Sequence, residues 1–302
     1  MKDITEAKHR LRGLFNIAIT PFAADGAIEF TALAANLERM LAVGVDGFLI
    51  GGTYGEFATM SAVERAELFR RVIAIVADRV PVMLCSASAD PREAMELTQL
   101  AGEIGGLPML TPPFVSEVTD QQVVDFFASV GPLSRTGVMI YNAPGVGITL
   151  SPDVIERLAE QPDVIGLKQG DLSPTAIDRI ANRLGGRIRL FCASDLAFLG
   201  PMMCGFDGLS STNSCGLPEL ILASFRALQN GHAAQASELH RLWFGVREMA
   251  RKFGQPQTVK AVMRLRGWGG GSVRAPLRDL TEEQLAALDK VLQSVPAEWR
   301  PT

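Results

Sequence analysis

Short, continuous apolar runs recur along the chain and are separated by longer stretches of mixed apolar and polar residues. A short apolar run without alternating polar residues is typical of a strand that is buried on both faces, as in a parallel sheet. The eight runs predict strands at residues 14–22, 46–52, 81–85, 107–112, 138–142, 164–168, 188–192 and 207–210. A helix is predicted after each strand, so the predicted order is a row of β–α units.

Capping signals support two of the predicted helices. Thr31 is a candidate N-cap, and Ser61 and Glu64 have the spacing of a capping box. The helices that follow the strands are predicted at about residues 31–43, 61–77, 91–103, 120–130, 152–159, 174–184 and 195–203, and from about residue 218. Three more are predicted near the C-terminus, at about residues 235–252, 256–266 and 281–293.

Eight consecutive β–α units predict an α/β fold, the (β/α)8 or TIM barrel, with a C-terminal helical extension. A doubly wound open sheet uses the same alternation. The near-equal units and the lack of a GxGxxG motif after the first strand favour the closed barrel. We expect a catalytic barrel domain at residues 1–232 and a three-helix subdomain at residues 233–302.

Composition excludes several classes of protein. A chain of 302 residues that is 47% hydrophobic is long and apolar enough to bury a large core, which excludes a disordered protein. A formal net charge of -4 gives no basic surface for nucleic acid or a membrane. The N-terminal residues are too polar for a secretory signal, and no apolar stretch approaches the roughly 18 residues of a membrane span. We expect a cytoplasmic protein with a small-molecule substrate.

The cysteines and histidines do not form a metal-binding or redox motif. The four cysteines have no CxxC spacing and are expected to be reduced and buried: Cys85, Cys192, Cys204 and Cys215. The three histidines all lie outside the predicted strand ends: His9, His232 and His240. A histidine-ligated metal or a serine–histidine triad therefore has little basis in this sequence, and no metal or cofactor is expected.

Lys168 is the last residue of the apolar run VIGLK. Catalytic groups of a (β/α)8 barrel gather at the C-terminal ends of its strands. A lysine held there away from water loses stability as a cation, so its pKa falls and its free amine can form a Schiff base. The alternative is a strand-end lysine that simply reaches solvent, and the other strand ends are needed to decide between the two.

Tyr141 ends the preceding strand, in the motif YNAPG, and is expected to neighbour Lys168 in the barrel. Buried tyrosines usually serve packing and one hydrogen bond. However, the chain has only two tyrosines, Tyr54 and Tyr141, and both lie at predicted strand ends. A phenol beside an amine can carry the protons that imine formation from a ketone requires, without a metal.

A glycine-rich turn, GGTYGE, follows the second predicted strand. Gly51 and Gly52 allow the backbone to approach a ligand closely. The Thr53 hydroxyl and the neighbouring backbone N–H groups could hold a carboxylate there. The three strand ends together favour imine formation with a ketone over a lysine that simply reaches solvent.

These motifs resemble those of the dihydrodipicolinate synthase and N-acetylneuraminate lyase family. GGTYGE is similar to its GTTGE or GSTGE signature, YNAPG to its YNxP motif, and GLK to its Schiff-base strand. The C-terminal sequence VKAVMRLRGWGGGSVRAPLRDLTEEQ also resembles the closing pattern of the family. The resemblance extends from ITPF to the last predicted helix, and the shared order and spacing of the motifs make it specific.

The resemblance implies a pyruvate-type class I lyase in a barrel that usually assembles as a homotetramer, a dimer of dimers. It implies that Lys168 forms the imine and that Tyr141 relays protons. Thr53 corresponds to the first threonine of the signature, and the backbone around Gly52 to Tyr54 would grip the carboxylate of a 2-keto acid.

The segments FCASD and GLSS resemble the SGDD and GVIS segments of the family. Ala193 and Ser210 therefore correspond to residues that line the pyruvate pocket.

Three departures from the family pattern concern the second substrate. Tyr54 replaces the second threonine of the synthase relay, Phe114 replaces the aromatic residue lent across a dimer interface, and Val146 replaces an arginine that binds the second substrate's carboxylate. Phenylalanine cannot pass a proton, and valine cannot bind an anion. These changes argue against true dihydrodipicolinate synthase activity.

We expect an aldolase or dehydratase that acts on pyruvate or a 2-keto-3-deoxy acid through a lysine imine. One alternative is an authentic 4-hydroxy-tetrahydrodipicolinate synthase with a rearranged anion site. Another, of a different class, is a non-catalytic barrel that binds a keto acid as a sensor. Retention of Lys168 and Tyr141 argues against the sensor.

Overall fold

Eight parallel strands form a closed barrel in chain order in the computed structural model of this chain, which describes residues 1–301. This confirms the predicted TIM barrel. The strands are β1 (Gly13–Ile17), β2 (Gly47–Ile50), β3 (Val82–Cys85), β4 (Leu107–Leu110), β5 (Val138–Asn142), β6 (Val164–Gln169), β7 (Arg189–Cys192) and β8 (Gly208–Ser211).

The strands have almost no exposed positions, as their continuous apolar runs predicted. Every strand residue is buried except Arg189, which is half-buried. The first predicted strand is too long, because β1 ends at Ile17 rather than at Phe22. That run contains Pro21, which has no N–H to donate to a strand ladder.

The helices alternate with the strands and continue after β8. They are α1 (Ile4–Arg10), α2 (Phe30–Val43), α3 (Ala62–Val76), α4 (Pro91–Glu103), α5 (Asp120–Val130), α6 (Pro152–Leu158), α7 (Pro174–Leu184), α8 (Leu199–Met203), α9 (Pro218–Gln229), α10 (Ala233–Leu242), α11 (Phe244–Phe253), α12 (Gln257–Leu265) and α13 (Glu282–Leu292). The helical region after β8 confirms the predicted C-terminal extension.

The capping predictions had opposite outcomes. Ser61 and Glu64 form the predicted capping box, in which each side chain accepts a hydrogen bond from the other residue's backbone N–H. The prediction of Thr31 as an N-cap is wrong, because α2 begins at Phe30 and its N-cap is Glu29.

Three helical regions differ from the prediction by more than a shift of one or two residues at an end. The N-terminal helix α1 was not predicted, although Asp3 caps it by accepting a hydrogen bond from the Glu6 N–H. The helix predicted at residues 195–203 begins only at Leu199, since the Ser194 hydroxyl accepts the Leu196 N–H in a turn before it. The helix predicted at about residues 235–252 is two helices, which separate at the buried Trp243.

The chain divides into two compact units. The first consists of residues 1–15, 46–50 and 60–210 and contains all of β2 to β7, with α1 and α3 to α8. The second consists of residues 16–45 and 51–59 and of the described residues from Ser211 onward, and it contains α2 and α9 to α13. The predicted domain boundary between residues 232 and 233 stays a prediction.

Three of the four cysteines are buried, as expected, but the expectation is wrong for the exposed Cys204. Cys204 follows α8 at a surface turn, whereas Cys85 and Cys192 end buried strands. None of the helices in residues 1–301 is long and apolar enough to cross a membrane.

Candidate active site

Tyr141 and Lys168 lie side by side on the neighbouring strands β5 and β6. The parallel register pairs the two residues, and each is the last residue but one of its strand. Both side chains are buried, with 5% of Tyr141 and 3% of Lys168 exposed. The Lys168 Nζ atom lies 4.1 Å from the centroid of the Tyr141 ring. The fold therefore brings together the amine and the phenol of the two strand-end motifs.

Burial makes the Lys168 amine a weaker base than a lysine in water. The loss of solvation lowers the pKa of Lys168 from 10.5 to about 8. The negative charges that Cys85, Cys192 and Asp195 carry when they are deprotonated act in the opposite direction, but the loss of solvation outweighs them. At pH 7 such a pKa leaves about a tenth of the amine neutral, which supplies the free amine that attack on a carbonyl requires.

Two buried thiols belong to the surroundings of Lys168, and sequence reasoning did not assign them to the site. Cys85 ends β3 and Cys192 ends β7. Burial raises the pKa of Cys85, and it raises the pKa of Cys192 to about 12. Both thiols are therefore uncharged at neutral pH. The third group that favours the charged form of Lys168, besides Cys85 and Cys192, is the buried carboxyl group of Asp195.

A pair of buried amides fixes the ends of β5 and β6. The Asn142 Nδ2 atom donates to the Gln169 Oε1 atom at 2.9 Å and to the Leu150 carbonyl at 3.2 Å. The Asn142 Oδ1 atom accepts from the Leu150 N–H at 2.9 Å. Asn142 directly follows Tyr141, and Gln169 directly follows Lys168. The amide pair therefore restrains the two strand ends that carry the phenol and the amine. The sequence analysis did not predict this amide pair. An amide residue directly after each of Tyr141 and Lys168 could have indicated it.

Ala193 and Ser210 lie at the ends of the next two strands. The Ala193 N–H, directly after β7, donates to the Gln169 carbonyl at 3.0 Å. Ser210, in β8, is buried, and its hydroxyl donates to the Cys192 carbonyl at 3.0 Å. Both residues therefore have fixed positions, and their predicted part in a keto-acid pocket stays a prediction.

Gly52, Thr53 and Tyr54 belong to the second unit, where residues Thr53–Gly55 form a 3-10 turn. Gly52 is buried and extended, while Thr53 and Tyr54 are half-buried. The Gly55 carbonyl accepts a hydrogen bond from the Thr20 hydroxyl at 2.7 Å. The turn is therefore held in one conformation, and carboxylate binding there stays a prediction.

Phe114 and Val146, two of the departures from the family pattern, lie in loops after β4 and β5. Both side chains are half-buried. Phe114 packs closely against Gly147, since a Cβ atom at that glycine would lie 2.7 Å from the Phe114 Cβ atom. The Val146 N–H donates to the Ala143 carbonyl at 3.0 Å. Phe114 and Val146 provide apolar surface where the resemblance implied a proton carrier and a cation.

The sequence matches the dihydrodipicolinate synthetase family over residues 10–295. A 4-hydroxy-tetrahydrodipicolinate synthase from Methanothrix thermoacetophila is 31% identical to the chain over 287 residues, which cover 93% of this chain and 96% of that protein.

Two solved structures have the same fold. Dihydrodipicolinate synthase DapA-2 from Bacillus anthracis superimposes with a TM-score of 0.89 and 27% identity, covering 98% of this chain and 100% of that one. YagE from E. coli K12, a prophage protein of the dihydrodipicolinic acid synthase family, was solved in complex with pyruvate. It gives a TM-score of 0.88 and 26% identity over 94% of this chain and 98% of that one. Both similarities extend over nearly the whole chain.

Proposed function

Because the chain belongs to the dihydrodipicolinate synthetase family, whose members are lyases of the pyruvate-dependent class I aldolase type, we propose that its Lys168 forms an imine with pyruvate or a 2-keto-3-deoxy acid. The observation that carries this proposal is the pairing of Lys168 with Tyr141. The amine is buried, its pKa is lowered to about 8, and it lies 4.1 Å from the centroid of the phenol ring. The pyruvate complex of the related YagE supports the choice of substrate class.

The reaction begins when the neutral Lys168 amine attacks the C2 carbonyl of the keto acid. The new C–N bond gives a carbinolamine, whose oxygen takes a proton and leaves as water to form an iminium ion. Tyr141 is the general acid that supplies this proton and the base that later removes one. The iminium then accepts an electron pair and becomes an enamine. In aldol cleavage this pair comes from the C3–C4 bond, while the C4 hydroxyl loses its proton and the aldehyde leaves, and the enamine then takes a proton at C3. In dehydration the pair comes from the C3–H bond, and the enamine then expels the protonated C4 hydroxyl as water. Hydrolysis of the imine returns free Lys168.

The remaining assignments follow the family resemblance. The backbone of Gly52 to Tyr54 and the Thr53 hydroxyl bind the substrate carboxylate, and Ala193 and Ser210 line the keto-acid pocket. A homotetramer, arranged as a dimer of dimers, and a cytoplasmic location stay predictions from the sequence.

A second candidate function is 4-hydroxy-tetrahydrodipicolinate synthase itself. It is favoured by the name of the relative from Methanothrix thermoacetophila, which is 31% identical to this chain. Phe114 and Val146 count against it, because neither can carry a proton or bind a carboxylate. A coupled assay with pyruvate and aspartate semialdehyde decides the matter, and condensation at a rate typical of metabolic enzymes would establish the synthase.

The proposed function is tested by intact-mass spectrometry after borohydride reduction in the presence of a panel of 2-keto acids. Reduction makes the imine permanent, so an intact keto acid adds its own mass minus one oxygen, and a substrate that has been cleaved adds the mass of pyruvate minus one oxygen. We expect an adduct with pyruvate and with at least one 2-keto-3-deoxy acid, followed by turnover of the latter. Tight binding of pyruvate with no mass increase would instead support a non-catalytic keto-acid-binding barrel.

Imine formation should increase with pH up to about the pKa of Lys168. Only the neutral amine attacks, so at low pyruvate the initial rate of adduct formation should rise about tenfold per pH unit below the midpoint and level off above it. Because burial lowers the pKa of Lys168 to about 8, the midpoint should lie near that pH. A midpoint near the ordinary lysine value of 10.5 would show that the amine is solvated in the working enzyme.

A further inference from the structure

A completely buried ion pair joins Glu56 to Lys260 within the second unit. Glu56 directly follows the Thr53–Gly55 turn, and Lys260 lies in α12. The Lys260 Nζ atom is 2.5 Å from the Glu56 Oε1 atom, and the two residues are only 0% and 3% exposed. The proposed reaction uses neither side chain, although Glu56 is the last residue of the GGTYGE motif.

Both partners of this pair have further hydrogen bonds to the segment after α12. The second carboxylate oxygen of Glu56 accepts the Arg274 N–H at 2.9 Å. The Lys260 ammonium donates to the Ser272 carbonyl at 2.7 Å and lies 4.7 Å from the centroid of the Phe22 ring. The Glu56 carboxylate is thus held by the Lys260 ammonium, 204 residues away in sequence, and by the backbone N–H of Arg274.

The backbone of Glu56 has a conformation that glutamate rarely adopts. Its φ is 60°, in the left-handed region, which glycine and asparagine adopt far more readily. Its N–H donates to the Thr53 carbonyl at 3.1 Å, and its carbonyl accepts the Thr59 N–H at 3.0 Å. A residue without a side chain would suit this position better, so the carboxylate itself accounts for the presence of glutamate.

Stability alone does not explain a buried pair of charges. The cost of taking two charges out of water is often as large as their attraction, and apolar residues of similar size are often equally stable. What a buried pair with several hydrogen bonds supplies is one fixed geometry. Here the geometry it fixes is the end of the turn formed by residues 52–55.

We propose that the Glu56–Lys260 ion pair is a positioning device that holds the turn of residues 52–55 in the conformation that binds the substrate carboxylate. This inference rests on the proposed function, which assigns that turn to the keto acid. Glu56 and Lys260 are positioning residues, since they act on substrate only through the turn.

The test is Glu56→Gln, which keeps the shape and one acceptor but removes the charge that holds Lys260. Loss of the fixed geometry should raise the pyruvate concentration that gives half-maximal borohydride trapping by about 10-fold. The trapped fraction at saturating pyruvate and the pH midpoint of trapping should not change, because both depend on Lys168. Titration of pyruvate with intact-mass detection measures all three quantities.

The matched control is Glu219→Gln, which also removes a carboxylate from an ion pair of the second unit. Glu219 forms an ion pair at 3.0 Å with Arg266, the residue directly after α12. Neither member of this pair belongs to the turn of residues 52–55. This variant should lower the melting temperature without changing the half-saturating pyruvate concentration. An equal shift in both variants would show a general loss of stability and would overturn the inference.

A double variant, Glu56→Gln with Lys260→Met, tests the same point without an unpaired buried charge. If circular dichroism shows that Glu56→Gln alone does not fold, the double variant is used in its place. The pyruvate concentration that gives half-maximal trapping should again rise by about 10-fold, because the carboxylate-binding turn is misplaced in the same way. An unchanged half-saturating concentration in whichever variant folds would overturn the positioning role. Absence of any adduct in the unmodified protein would instead refute the proposed function.

Discussion

Replacement of Lys168 by alanine should abolish the adduct that borohydride forms from the protein and pyruvate. In the proposed reaction the imine nitrogen is the Lys168 Nζ atom, so a protein without this amine should form no adduct. Loss of the nucleophile should lower turnover on the order of 10⁴-fold or more. Intact-mass spectrometry measures the adduct, and a progress curve with the best keto acid of the panel measures turnover.

Two further variants make this result specific. Lys168→Met removes the amine but fills more of the buried volume, so loss of the adduct in a well-folded Lys168→Met protein excludes collapse of the barrel as the cause. Lys252→Ala removes an exposed lysine of α11 and should leave trapping unchanged. Persistence of the adduct in Lys168→Met would mean that another amine reacts and that the assignment is wrong.

Replacement of Tyr141 by phenylalanine should slow turnover by about 100-fold or more, because in the proposed reaction the phenol carries the protons of carbinolamine formation and breakdown. The ring that lies 4.1 Å from the Lys168 Nζ atom is retained in this variant, so the packing around the amine is preserved. The adduct should still form, but slowly. Stopped-time borohydride trapping gives the rate of imine formation, and steady-state kinetics gives turnover.

A nearly unchanged rate in Tyr141→Phe would show that the phenol serves packing only. Tyr54→Phe is the informative comparison, because Tyr54 is the other tyrosine of the chain. In the family motif that GGTYGE resembles, its position is that of the second relay threonine. A loss in Tyr54→Phe as large as the loss in Tyr141→Phe would indicate that the Tyr54 hydroxyl replaces that threonine. A loss confined to Tyr141→Phe would leave Tyr54 as a residue that shapes the turn.

Most of the barrel could be predicted from local patterns. The strand β5 has the predicted bounds, and α4, α5 and α7 begin and end at the predicted residues. These elements depend on short-range features of the sequence, namely an apolar run for the strand and, for α4 and α5, the capping residues Asp90 and Thr119. The prediction of one helix at about residues 235–252 failed where a nonlocal feature competes with the local pattern, since the burial of Trp243 coincides with the break between α10 and α11.

The candidate site was predictable in part for the same reason. Strand ends gave the positions of Tyr141 and Lys168, and the order of strands in a barrel placed them on neighbouring strands. The amide pair of Asn142 and Gln169 was missed, because hydrogen bonds between side chains depend on how two strands align. The ion pair of Glu56 and Lys260 was also missed, since no local pattern links residues that are 204 positions apart.

Local patterns in the sequence predict most of the strands and helices and the reactive side chains at the strand ends. Those properties follow from the order of apolar and polar residues over a few positions. The three-dimensional fold is needed to see that Tyr141 and Lys168 are paired in the register of β5 and β6, that burial lowers the pKa of Lys168 to about 8, and that Glu56 forms an ion pair with Lys260 of α12. Solvation and long-range pairing are set by everything that packs around a group, which the neighbouring residues in the chain do not specify.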